Sequence, residues 1–314
     1  MTLSGDLLAR MDGLRTDRTP FVLATVVRAE RPTSARPGDR AVVLPDGTIE
    51  GFVGGSCAES TVRLEGLRLL RDGTSTLLRI RPSAEASDPA DVVEGLISVD
   101  NPCLSGGTLE IFLEAVVPPT VVIVLGGGPV ARGLERVGAA LDYDVRAADP
   151  AAPVPPDAAA VVVASHGHDE EAVLAAALVA GVPYVALVAS RRRGAAVLAG
   201  LDVSDSDRAR VRTPAGLDIG ARTPAEVALS IYAEVVTGRG HDVASSTLDH
   251  VVEGHADRVD DDGLGAIDPV CGMTVARTST SPTAVVDGVT RWFCGTGCRQ
   301  AYLDRHTSAG GGPR

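Results

Sequence analysis

Apolar and polar positions alternate along this chain with two different periods, and the switches between them outline its parts. Residues 5–15 carry apolar positions at helical spacing and predict a short amphipathic helix. Phe21 to Ala29 reads FVLATVVRA, a β-rich run, and a Pro/Gly loop follows from Arg31 to Asp39. Ala41 to Leu44 and Ile49 to Val53 are predicted as a hairpin, because Pro45-Asp46-Gly47-Thr48 supplies a turn with a glycine for positive φ. Gly54-Gly55-Ser56-Cys57 then leads into a helix over about 58–71. Thr74 to Ile80 reads as a strand, Pro82 to Asp91 as a polar loop, and Asn101 to Gly107 as a second glycine-rich turn before an alternating strand at 108–114. Residues 1–117 are therefore expected to form a mixed α+β domain.

Pro118-Pro119 marks a boundary, and the pattern changes after it. Val121 to Leu125 is continuously apolar, as suits a strand covered on both faces of a parallel sheet. Helices are predicted at 129–141, 169–180, 194–200 and 224–236, and strands at 143–148, 159–164 and 184–188. Thr223-Pro224 supplies an N-cap and a first-turn proline for the last helix. This alternation predicts a doubly wound, Rossmann-like domain over 118–238. Residues 239–265 are polar and acidic and read as a linker. A compact unit of about forty residues is expected over 266–306, with a tail over 307–314. The fold class is thus α/β: an N-terminal α+β domain, a Rossmann-like parallel-sheet domain and a small C-terminal Cys-rich module.

Composition sharpens this picture in three ways. Aromatics are only 3% of a chain that is 45% hydrophobic, so the cores must be aliphatic. The net charge of −12 repels phosphate backbones and argues against general nucleic-acid binding. No apolar run is long enough to span a bilayer, and no basic stretch precedes an apolar run at the N-terminus, so a cytoplasmic protein is expected. In that compartment the five cysteines read as thiols or metal ligands rather than disulfides.

Four constellations carry chemistry. Leu125-Gly126-Gly127-Gly128-Pro129-Val130-Ala131 fits G-x-G-x-x-A between a strand and a helix. There Gly126 permits the turn, Gly128 lets a phosphate approach the backbone, and Asp149 stands where a carboxylate can bind a ribose hydroxyl. A nucleotide or NAD(P) is the candidate ligand; a tight turn that binds nothing is the plainer reading. Cys57 and Cys103 each sit in a glycine-rich turn, where a helix start or small neighbours would expose a reactive thiol, although free cysteines also serve as buried fillers. His166 and His168 end one parallel strand, and Ser190-Arg191-Arg192-Arg193 follows another. Imidazoles and guanidinium forks at such strand ends suit oxyanions. The alternatives are Asp169 capping a helix beside solvent-facing imidazoles, and a solvated run of arginines. Finally, Cys271, Cys294 and Cys298 with Met273 make a soft-metal set in a unit small enough to need a staple, with zinc or copper as the metal.

These residues carry a resemblance. The segments ATVVRAERPTSARPGDRAVV, GFVGGSCAES, CLSGGTLEIFLE, VIVLGGGPVA, ASHGHDEEAV, PYVALVASRRR and GLDIGARTPAEVALSI resemble the XdhC/CoxI family, accessory factors of xanthine dehydrogenase and aerobic CO dehydrogenase. The family's cysteine motif is often Ser-Gly-Gly-Cys, where this chain has Gly54-Gly55-Ser56-Cys57. Residues 266–306 are similar to a YHS domain, a small heavy-metal-associated module. The resemblance implies a chaperone that binds the molybdenum cofactor, protects or sulfurates it, and delivers it to an apo molybdenum hydroxylase. A cysteine desulfurase and a second copy of the chain are further candidate partners. On that reading Cys57, Cys103, Gly126, Gly128, Asp149, His166, Arg191 and Arg192 face the cofactor, and Cys271, Cys294 and Cys298 hold metal. Two other functions compete: an NAD(P)-dependent oxidoreductase, disfavoured by the absence of lysine and of an evident hydride-transfer arrangement, and a soft-metal sensor or buffer.

Overall fold

The first sheet is built from runs whose alternate residues are apolar. In the computed structural model, which describes residues 3–82, 95–101, 107–165, 167–245 and 263–308, the chain opens with α1 (Leu3–Thr16). Strands β1 (Phe21–Ala29), β2 (Arg40–Val43) and β3 (Ile49–Gly51) follow, then α2 (Ser56–Asp72) and strands β4 (Thr76–Pro82), β5 (Leu96–Asn101) and β6 (Leu109–Val116). They form a six-stranded sheet in the order β3-β2-β1-β6-β4-β5, antiparallel except for the parallel pair β4 and β5. Val22, Ala24 and Val26 point from β1 into a core shared with Val62 and Leu69 of α2, while Phe21 packs with Met11 and Leu14 of α1 on the other face. That is the two-residue period of a strand covered on both sides. Strand β5 was not foreseen: Leu96–Asn101 has no strong period of its own and forms beside Leu77 to Pro82 by backbone pairing.

The second compact unit, residues 119–249, is a different layer structure. It contains β7 (Val121–Leu125), α3 (Pro129–Ala140), β8 (Asp144–Ala147), β9 (Ala158–Val163), α4 (Glu170–Val179), β10 (Tyr184–Leu187) and α5 (Arg191–Gly200). Helix α6 (Asp205–Arg210), β11 (Val211–Arg212) and α7 (Pro224–Ser245) complete it. All five strands are parallel, in the order β11-β10-β9-β7-β8. Val122, Val124, Ala160 and Val162 face α3 and α7, whereas Val121, Ile123, Leu125, Val161 and Val163 face α4 and α5. Both faces are dry, which is why β7 and β9 are apolar without alternation. The order reverses between β7 and β9, the place where doubly wound sheets bind ligands.

Two sequence expectations are corrected here. Helix α7 does not end at 236 but continues to Ser245, into the predicted linker. It runs through Gly238 and Gly240, because glycine weakens a helix by only about 1 kcal/mol and breaks no hydrogen bond. The rest of that linker, 246–262, lies outside the described residues. Helix α6 was also missed; Ser204 caps it by accepting from Asp207 N at 3.1 Å.

The C-terminal residues group with the first unit rather than the second. Strands β12 (Gly265–Ile267) and β13 (Thr274–Ala276) pair, β14 (Thr283–Val286) pairs with β15 (Val289–Trp292), and α8 (Thr296–Ser308) follows. Strand β13 packs on α2, so this helix lies between the six-stranded sheet and the cysteine-rich module. Among the described residues no helix is long and apolar enough to cross a membrane.

Candidate functional site

Four thiols meet where the C-terminal module touches α2. Asp268 to Gly272 closes a turn, with Gly272 N donating to Asp268 O at 2.8 Å and Gly272 at φ +77°, and this presents Cys271. Cys294 and Cys298 lie at the β15–α8 junction, four residues apart, which sets both sulfurs on one side of the first turn. Cys271 Sγ is 3.7 Å from Cys294 Sγ, and Cys294 Sγ is 3.5 Å from Cys298 Sγ. Cys57, on the first turn of α2, packs into the same apolar cluster and hydrogen-bonds with Cys294. None of the four forms a disulfide.

One buried carboxylate braces the cluster. Asp268 Oδ1 accepts from Val270 N at 2.8 Å and Cys271 N at 3.4 Å, and Oδ2 accepts from Cys294 N at 2.8 Å. It therefore ties together the two loops that carry cysteines. Crowding perturbs the thiols in opposite directions. The hydrogen bond from Cys294 lowers the Cys271 pKa, the bonds to Cys271 and Cys57 together with burial raise that of Cys294, and burial pushes Cys298 up to about 12.

Cys57 also borders a cavity of about 240 Å³ inside the first unit, lined by Thr33, Ser34, Ser56, Asn101 and Gly107 among others. The N-cap of α2 is Gly55, which has no side chain to cap the helix. Gly107 is required on the opposite wall: a Cβ there would lie 2.3 Å from Pro32 O. The cavity thus offers hydroxyls, an amide and one sulfur at a helix N-terminus, a donor set suited to an anionic or soft ligand.

The second unit has its own candidate site at the β7–β9 switch. Gly126 has φ +126°, and a Cβ on it would stand 2.5 Å from Ala164 O, so only glycine fits. Gly128 is the N-cap of α3 and Pro129 its first residue. Across the switch, Glu170 is buried and its carboxylate accepts from Ser165 Oγ at 2.9 Å, Gly167 N at 3.0 Å and Arg193 Nη2 at 2.6 Å. Burial would raise the Glu170 pKa, but the bond and charge of Arg193, with those from Gly167 and Ser165, outweigh it and hold the carboxyl below its ordinary range.

The sequence expectations fare unevenly. Asp169, in one of the two readings a helix cap, does stand at the N-cap of α4, but at φ +56° and with no side-chain cap bond. The neighbouring Glu170 ties the loop instead, reaching back to Gly167. Arg191 and Arg192 are exposed on the first turn of α5, while Arg193 turns inward to Glu170. The predicted basic patch is therefore partly neutralised. Asp149 caps its own turn by accepting from Ala151 N at 2.9 Å and borders a cavity of about 140 Å³ with Arg146 and Val154; Gly126 and Gly128 do not line that cavity. His168 is exposed, whereas His166 and Cys103 lie outside the described residues. Cys57 was assigned to one site and Cys271, Cys294 and Cys298 to another, and the structure joins them. Asp268 and Glu170 went unnoticed. An acid three residues before a cysteine was the available signal for the first, and nothing local marked the second.

A helix-borne thiol in an α+β sheet domain, a glycine-rich turn in a doubly wound domain and a small thiol cluster define a multipart α/β protein. Residues 14–81 match the model described as the XdhC and CoxI family, and residues 122–235 match the XdhC Rossmann domain. The chain belongs to the XdhC/CoxI family. It is 26% identical over 253 residues to a protein of Escherichia coli K12 described as uncharacterized protein YqeB. That match covers 71% of this chain and 44% of the relative, so the chain spans less than half the relative's length. A solved chain described as a xanthine dehydrogenase from Bacillus halodurans aligns over 76% of this chain and 97% of its own length, at 16% identity and a TM-score of 0.37. That likeness is too loose to say anything of fold or function.

Proposed function

We propose that this protein is an accessory factor for a molybdenum hydroxylase of the xanthine dehydrogenase or CO dehydrogenase type. It takes the molybdenum cofactor as cargo, protects and matures it, and passes it to the apo-hydroxylase. Family membership supports the accessory role. The observation that carries the cofactor reading is Cys57, a sulfur on the first turn of α2 beside a polar cavity. Helix N-termini favour anionic sulfur, and thiolates are soft ligands for a metal such as molybdenum. Cys57 would hold the metal end of the cargo, with Cys103 as a second sulfur. The second unit carries a separate candidate for an anion, the turn at Gly126 and Gly128 with Arg191, Arg192 and His166, where Asp149 would serve a ribose if the ligand is a nucleotide.

The test is copurification. Protein expressed with an active molybdopterin pathway should carry oxidisable pterin, and Cys57→Ala should lower that content at least tenfold. Protein with no pterin and no measurable affinity for it would overturn the proposal.

A second reading, nucleotide or NAD(P) binding by the second unit, rests on the Gly126 turn at the sheet's switch point. NADH fluorescence titration of wild type and Gly126→Ala separates it: saturable binding lost in the variant favours it, and no binding removes it.

A further inference from the structure

We propose that Cys57 is the fourth ligand of a four-sulfur site, shared with Cys271, Cys294 and Cys298, that takes a thiophilic tetrahedral cation of the zinc type. Sulfur spacing carries the argument. Four thiolates about 2.3 Å from a tetrahedral zinc lie about 3.8 Å from one another. The Cys271–Cys294 and Cys294–Cys298 sulfur spacings, 3.7 Å and 3.5 Å, are close to that edge and far from the roughly 2.05 Å of a disulfide. These three thiols are spaced as ligands round a centre rather than bonded in pairs, and Cys57 packs against the cluster that holds them.

The choice of fourth ligand lies between Cys57 and Asp268. Asp268 belongs to the same close group as the three C-terminal cysteines. Its carboxylate, however, already accepts three backbone N–H bonds, from residues 270, 271 and 294, and coordination would weaken that brace. Cys57 brings a softer atom, matches the other three donors, and contacts Cys294 from the helix side. Asp268 is left as the residue that aims the cysteine loops, as outer-shell carboxylates commonly do.

Such a site links two parts of the first unit that are distant in the chain. Metal would pin the C-terminal module on α2 and withdraw the Cys57 sulfur from the adjoining cavity. The site itself does not depend on the accessory-factor reading; only that last consequence does, for a cargo bound through Cys57.

The experiment uses the full chain, stripped of metal and titrated with Zn²⁺, and with Co²⁺ as a spectroscopic reporter. One equivalent should bind per chain with strong sulfur-to-cobalt charge-transfer absorption. Cys57→Ser should cut that absorption by about a quarter, one sulfur of four, and weaken Zn²⁺ binding at least tenfold. Asp268→Asn, which loosens the brace without removing a sulfur, should weaken Co²⁺ binding but keep the four-sulfur charge-transfer intensity at saturation. In the wild-type chain, Zn²⁺ should slow iodoacetamide labelling of Cys57 at least tenfold, read by peptide mass, and a chelator should restore it. That measurement needs no variant to fold. The proposal is overturned if Cys57→Ser keeps the wild-type spectrum and affinity, if Cys57 labels equally fast with zinc bound, or if the chain binds neither metal. None of these readouts involves pterin, so this site and the cofactor reading can fail separately.

Discussion

Gly295 lies against Ser56, so close that a Cβ on the glycine would stand 2.9 Å from the serine Oγ. The contact sets the start of α8 on the first turn of α2 and brings Cys294 to Cys57. A serine hydroxyl can swing aside for one methyl, but not for a branched side chain. Gly295→Val should therefore lift the module off α2 and speed alkylation of Cys57 in metal-free protein several-fold, with the Cys271 rate changed much less. Equal Cys57 rates in the two proteins would mean that this contact does not hold the module.

Arg193 and Glu170 make the second unit's buried ion pair. Glu170 is 1% exposed at its side chain and Arg193 36%, so removing the arginine strands a buried carboxylate. Because Arg193 is partly solvated, the loss should fall below the usual range for buried pairs, at about 2 kcal/mol for Arg193→Ala. Arg191→Ala, an exposed neighbour, should cost within about 0.5 kcal/mol. Urea midpoints at pH 7 decide; similar values for both variants would remove the pair from the list of supports.

The same carboxylate fixes a pH dependence. The folded state holds the Glu170 pKa below its ordinary value, so the unfolded chain takes up this proton first as pH falls. The stabilisation is complete above the unfolded value of roughly 4.3 and is lost as pH drops through the lower folded value. Unfolding followed between pH 7 and pH 3 should show a decline that is shallower in Glu170→Gln. Parallel curves for the two proteins would assign the acid sensitivity to other groups.

Tyr232 is fully buried under α3 and donates from its hydroxyl to Leu134 O at 2.8 Å. Burial, then Tyr143, raises its pKa, so it remains a donor at every working pH. Tyr232→Phe leaves the hydroxyl's space empty and the carbonyl without this donor, a loss of about 1–2 kcal/mol. A loss under about 0.3 kcal/mol in chemical denaturation would show that the carbonyl is otherwise satisfied.

Gly126→Ala meets two obstacles together: φ of +126° and a carbonyl oxygen 2.5 Å from the new Cβ. Strain at such a position is of the order of 1–3 kcal/mol before the clash is counted. The variant should melt at least several degrees lower, and any anion affinity of the second unit should fall with it. An unchanged melting temperature would mean that the turn re-forms freely.

What the sequence alone determined is what local periodicity and backbone chemistry decide. The apolar run of β7 announced a strand covered on both faces, and Gly126 announced its turn. The pair Thr223-Pro224 announced the start of α7, where Glu226 Oε2 indeed accepts from Thr223 N at 2.9 Å. Only the tertiary structure decided which of the chemically capable residues meet. Ser60, Thr61 and Glu65 are polar yet buried on α2, because this helix is covered on one side by the first sheet and on another by a module from the far end of the chain. That same covering puts Cys57 among Cys271, Cys294 and Cys298, and the folding back of α5 gives Glu170 its arginine. Periodicity reports which face of an element is dry; it does not name the partner that dries it, since any surface of matching shape serves the hydrophobic effect equally well.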